Sequence, residues 1–228
     1  MRLNLQQFGG RGSGSGKGGG DLLGKQGNTG PISDVRDMIS EREKRMTETD
    51  DVLSVGRRMT GLYGGESAVN QFQLAKVGGG TMAYYDADGN LAMNEKYMNA
   101  EGMNRAYDAA VKNGFHPSRG NMSGIQAVAA HEYGHALTDL AAQRMGLGGF
   151  GGIEEASRQI VERARKKTRQ KTNMNFAGKI SGYAQYNFAE CVAEAVSDWY
   201  CNGSRANKES RAVMAVLNNV LRNSRTTR

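Results

Sequence analysis

The stretch AVAAHEYGHALTDL, Ala127 to Leu140, decides how the rest of the chain is read. It holds His131, Glu132 and His135 in the pattern HExxH. On an α-helix, residues four apart lie on one face, so both imidazoles can reach a single metal ion. Glu132 lies one residue round from His131, to the side of that point, where it can hold and deprotonate a water. The chain has only three histidines, and composition alone gives on the order of 0.002 chance matches to such a pattern. The flanks are small and apolar: Ile125, Ala127, Val128, Ala129 and Ala130 before the motif, Ala136, Leu137 and Leu140 after it. Such a helix is buried, and buried His and Glu need partners. Gly134 costs about 1 kcal/mol relative to Ala inside a helix; close approach of another segment would justify it.

Outward from the motif, Ser123 is the expected N-cap. The helix should run to about Met145, before the glycines of 146–152. The second informative stretch is SGYAQYNFAECVAEAVSDWYCNG, Ser181 to Gly203. Its spacing predicts a helix over 187–200, stopped by Gly203. Phe188, Ala189, Val192, Ala193, Ala195, Val196 and Trp199 make it apolar nearly all round, hence buried. Glu190, Glu194 and Asp198 form a stripe along it that must be paired, metal-bound or at an edge.

HExxH supplies two ligands, and catalytic zinc takes three, leaving the fourth position to water. Ala141 and Ala142 exclude the extended motif that carries a third histidine. The third ligand is sought further down the chain, and the acidic stripe is the candidate region; helical geometry alone does not choose among its residues.

HEYGHALTD followed by GYAQYNFAECVAEAV resembles the anthrax lethal-factor type of zincin metallopeptidase, over Ile125 to Tyr200. The resemblance implies zinc held by His131, His135 and Glu190. It implies Glu132 as general base, Tyr183 as the donor to the oxyanion, and Glu194 as the carboxylate that orients His131. The segment ExxSD from Glu194 is similar to the thermolysin-type pattern, which implies another register, with Glu194 as the ligand and Asp198 as the carboxylate behind His131. The fold expected is α+β and mostly helical, zincin-like, with a small antiparallel sheet and the HExxH helix at its centre. The function implied is hydrolysis of peptide bonds in a protein or peptide substrate. Two rivals stand beside it: a phage virion structural protein that keeps the fold without turnover, and a nucleic-acid-binding module.

The remaining chain is read in order. Residues 1–32 are Gly-rich and bury too little to offset their ordering entropy, so a flexible tail is expected. The opening MRLNLQQFGGRGSGSG resembles the starts of many phage virion proteins of Gram-positive hosts, which would make virion components partners. The catalytic domain is then 33–228. Helices are expected from Ser33 to Thr47, from Thr49 to the Gly64-Gly65 pair, over 101–113, over 153–171 and over 207–223. Residues 67–77 fit helix or strand. Met82 to Tyr85 and Leu91 to Met93 read as a hairpin around DADGN, Asp86 to Asn90; its edge is a place for an extended peptide to join. DADGN lacks the further carboxylates of a calcium loop. His116, before Pro117, stands outside any ligand spacing and reads as a loop or core histidine.

The formal charge of +7 favours acidic partners. Part of it is a run from Arg163 to Lys171, with no interleaved aromatics for base stacking; a solvated helix face is expected there. No run of apolar residues is long enough to span a membrane. The N-terminal apolar residues Leu3, Leu5 and Phe8 are too few for a secretory signal, so a cytoplasmic or virion-associated setting is expected. Cys191 and Cys201 fall on one helix, about 15 Å apart along its axis, too far to pair. That fits a reducing environment.

Overall fold

The computed structural model describes residues 3–4, 33–62, 68–78, 80–149 and 151–223, with side chains from Met46 onward. Leu3–Asn4 forms the short strand β1. The rest of the segment read as a tail, and the Gly64-Gly65 pair, lie outside the described residues.

The two helices expected before Gly64 are one, α1 (Ser33–Leu62). Nothing between Thr47 and Asp51 breaks a helix; there is no Gly or Pro, and two acids there find partners. Glu48 Oε1 accepts the Ala100 N–H at 2.7 Å. Asp51 Oδ2 accepts the Ser123 hydroxyl at 2.6 Å. Val52, Val55 and Met59 face the core.

Residues 67–77 resolve into strand β2 (Gln71–Ala75), followed by the hairpin β3 (Ala83–Tyr85) and β4 (Asn90–Asn94). The sheet order is β1-β3-β4-β2. It is mixed rather than antiparallel, because β4 inserts beside β2 and runs parallel to it. The β3–β4 pair is antiparallel. Its turn is held by Asp86 Oδ1, which accepts the N–H groups of Asp88 and Asn90 at 3.0 and 2.9 Å. Both edges of the hairpin are covered, β3 by β1 and β4 by β2. The expectation of an open hairpin edge is corrected accordingly.

Helices make up the rest: α2 (Ala100–Lys112), α3 (Gly124–Arg144), α4 (Gly152–Thr168), α5 (Asn173–Ala177), α6 (Phe188–Asn202) and α7 (Lys208–Asn223). The architecture is therefore α+β and mostly helical. The centre of the core is α3, buried on every side from Ile125 to Thr138 apart from partial exposure of Gln126. Its start is fixed by a reciprocal cap: Ser123 Oγ accepts the Gln126 N–H at 3.1 Å and Gln126 Oε1 accepts the Ser123 N–H at 3.0 Å. Amphipathic α7 closes the fold by packing on α4 and α6, through Val213, Met214, Leu217 and Leu221.

Gly134 sets the distance between α3 and α6. A Cβ there would lie 2.6 Å from Ala193 Cα and 3.2 Å from Val196 Cβ. The obstacle is backbone, so the two helices must separate to admit a methyl group. Gly134→Ala is expected to destabilise by about 1–3 kcal/mol through overpacking, offset by about 1 kcal/mol of helix propensity. Thermal melts of the metal-free protein check this. A rise in Tm would show that the crossing is not close-packed.

Candidate metal centre

Both halves of the site sit on well-anchored helices. The capped α3 presents His131, Glu132 and His135 to the interior; all are at most 2 % exposed. The N-terminus of α6 is capped by Asn187, whose Oδ1 accepts the Glu190 N–H at 2.8 Å. That cap places Glu190 in the first turn, opposite the two histidines.

Three donor atoms converge there. His131 Nε2 lies 3.0 Å from Glu190 Oε2, His135 Nε2 lies 3.5 Å from the same oxygen, and the two Nε2 atoms are 3.2 Å apart. Zinc bonds of about 2.0–2.1 Å in tetrahedral geometry put neighbouring ligand atoms about 3.3 Å apart. The observed separations bracket that value. His131, His135 and Glu190 thus form a buried group able to hold a metal, and one cation at its centre would engage all three. One further observation fits a cation: both carboxylate oxygens of Glu132 are buried beside the cluster without a hydrogen-bond partner.

Glu194 is one helical turn beyond Glu190 and does a different job. Its Oε1 is 2.8 Å from His131 Nδ1, on the far side of the ring from the convergent Nε2. A carboxylate in that place fixes the tautomer and raises the basicity of the imidazole. Asp198 is not part of the cluster. Its two oxygens accept Asn202 Nδ2 at 2.9 Å and the Asn207 N–H at 2.8 Å, tying the end of α6 to the start of α7. Tyr183 is buried in the 3₁₀ turn Tyr183–Gln185, its ring stacked 5.8 Å from that of His131.

Comparison with protein-family models, with curated proteins and with solved structures gives no match. The chemistry of the site therefore rests on its own geometry.

Two residues in it escaped the sequence reading. His116 Nδ1 lies 2.9 Å from the same Glu194 Oε1, and Ser181 donates its hydroxyl to Glu194 Oε2 at 2.7 Å. His116 is only 4 % exposed and stacks on Tyr107 at 5.2 Å. A backbone pairing brings it in: the N–H groups of Gly182 and Tyr183 donate to the carbonyls of Gly114 and Phe115 at 2.8 and 3.0 Å. No sequence spacing announces such a pairing. The one available signal was composition, since all three histidines of the chain end up within one network. With His116, His131 and Ser181 around it, the Glu194 carboxylate cannot rotate freely. His116→Ala is expected to weaken metal affinity by about 10–100-fold, the usual cost of losing an outer partner, without changing the number of ions bound. A metal-competition titration checks it.

The electrostatics follow from burial and pairing. Burial pushes the Glu132 carboxyl up to about 7, against the pull of His131 and His135. Burial alone would lower His131, but Glu190 and Glu194 outweigh it and raise the imidazole to about 10. The metal-free site thus holds an imidazolium between two carboxylates, and a cation entering at neutral pH must displace that proton. Burial opposes charge on Glu194 too, yet His116 and His131 hold its carboxyl down at about 2. A folded-state pKa below the unfolded one stabilises fully above the unfolded value, and the gain is lost as pH falls toward the folded value. The metal-free protein is therefore expected to lose stability between about pH 4.5 and 2. Glu194→Gln should flatten that part of the profile, measured by circular dichroism.

The other sequence-level candidates lie elsewhere. Cys191 and Cys201 are free and buried. The basic run spans the end of α4, which stops at Thr168 rather than at the expected 171, and the turn after it, where Arg165 Nη1 donates to the carbonyls of Gln170 and Lys171 at 2.9 and 3.2 Å. Arg163, Lys166, Lys167 and Arg169 are exposed. Among the described residues no helix is long and apolar enough to cross a membrane.

Proposed function

We propose that the protein is a zinc-dependent metalloendopeptidase of the zincin type. The observation that carries this reading is the convergence of His131, His135 and Glu190 at 3.0–3.5 Å beside the unpartnered carboxylate of Glu132. Two nitrogens and one oxygen suit zinc, and three protein ligands leave a position open for catalysis. When bound, the metal supplies Lewis acidity that acidifies water and polarises a carbonyl.

The chain's own groups supply the rest. Glu132 accepts the proton of the attacking water and returns it to the leaving amine. Tyr183 donates its hydroxyl to the oxygen on which negative charge develops. Glu194, held by His116 and Ser181, keeps His131 oriented.

An extended substrate joining the sheet beside Glu132 would have to displace β1 from β3. Removing residues 1–8 is then expected to raise kcat/KM severalfold; an unchanged value would mean that the β3 edge is not used. The reading itself is tested with a peptide library, with and without chelator. Cleavage that the chelator stops and zinc restores supports it. No cleavage by protein that holds zinc at full occupancy overturns it.

A further inference from the structure

A groove of about 320 Å³ opens between α4, α5 and the start of α6. Its wall is linked to the metal cluster through neighbouring side chains. The Tyr186 ring at its wall lies 6.0 Å from Tyr183, which itself stacks on His131. Cys191, also in the wall, follows Glu190 in sequence.

The composition of the wall is unusual. Val161, Met174, Ala177, Tyr186 and Phe188 make it largely apolar, and Glu154 is the one charged residue among the described residues that line it. Tyr186 and Met174 are 80 % and 57 % exposed, two large apolar side chains left in water at one mouth. Glu154 is exposed as well. Its carboxylate accepts the backbone N–H of Phe188, and it lies close enough to feel the charge of Glu190. Among the described residues no cation lines the groove to neutralise it.

We infer that this groove binds a lysine or arginine side chain of a peptide held at the metal site, with Glu154 as the residue that reads its charge. This rests on the peptidase reading above. A long basic side chain has an apolar stem and a charged tip. The stem would cover Met174, Tyr186 and Phe188, and the tip would meet the carboxylate of Glu154 in a charge-assisted hydrogen bond. A purely aliphatic side chain would cover the stem surface but leave the carboxylate in water. An acidic one would face Glu154 with like charge.

The test uses the full chain carrying Glu132→Gln, so that bound peptide is not turned over. Fluorescence anisotropy measures the binding of matched peptides with lysine, arginine, norleucine or glutamate at each position in turn, with and without zinc. At one position, lysine and arginine are expected to bind about five-fold tighter than norleucine, the scale of a solvated ion pair. E154Q should erase the difference, and E154K should invert it toward glutamate. Equal binding of lysine and norleucine peptides at every position overturns the inference. So does a preference that survives E154Q, or no binding of any peptide. The two readings fail separately. Zinc-dependent cleavage without a charge preference sinks the groove alone. A charge preference abolished by E154Q, in a protein that cleaves nothing, sinks the peptidase and leaves a basic-peptide site.

Discussion

Glu132→Gln is expected to lower peptide turnover by about 10²–10⁴-fold, the range contributed by a positioned general base, while metal content stays at one ion per chain. The two effects separate because of where the carboxylate stands. Glu132 is on the same helix as the two histidines, yet it is not among the three converging donors. Its two oxygens are buried and unpartnered, an expensive arrangement for a group without a task. The amide keeps the shape and removes the basicity. Its fold should survive, since no described partner loses a bond. Metal analysis, a thermal melt and a kcat measurement on the same preparation check all three statements. Turnover within a factor of a few of wild type would remove Glu132 from the mechanism. Loss of the metal would make it a ligand instead.

The helices that build this site were legible because their signals are local. The apolar flanks of HExxH announce a buried helix, and α3 begins at the expected cap, Ser123. At Gly134 the sequence leaves close approach and plain tolerance both open; the structure shows close approach, with Ala193 opposite. Local signals also misled. A chain with threonines and paired acids at 47–51 reads as a helix end followed by a new start. It continues instead, because Glu48 and Asp51 bond to the N-terminal ends of α2 and α3 rather than to their own backbone. That is a tertiary override of a local preference. The mixed sheet was illegible for a similar reason: whether β4 pairs beside β2 or on the hairpin's other side depends on packing between distant strands. His116 is the plainest case. Its role depends on backbone bonds from 114–115 to 182–183, nearly seventy residues apart in the chain, and no periodicity encodes them.

Three substitutions along α6 separate the two registers that the acidic stripe leaves open. Glu190, Glu194 and Asp198 recur every fourth residue on α6, so each faces a different neighbour one turn further along. At the first turn, Glu190 reaches both Nε2 atoms. At the second, Glu194 meets His131 Nδ1, on the opposite side of that ring. At the third, Asp198 meets Asn202 and the Asn207 N–H. Glu190→Gln removes the charged member of the three converging donors and is expected to cost more affinity for zinc than any other single change on this helix. Glu194→Gln leaves the three converging donors in place and is expected to cost about 10–100-fold. Asp198→Asn should leave zinc binding unchanged and cost about 1 kcal/mol of stability, the scale of one weakened hydrogen bond. Competition against a chromogenic chelator gives all three affinities in one series. The order matters more than the sizes. If Glu194→Gln lost more affinity than Glu190→Gln, the ligand would sit one turn further along the helix, and Asp198 would have to leave its cap to stand behind His131.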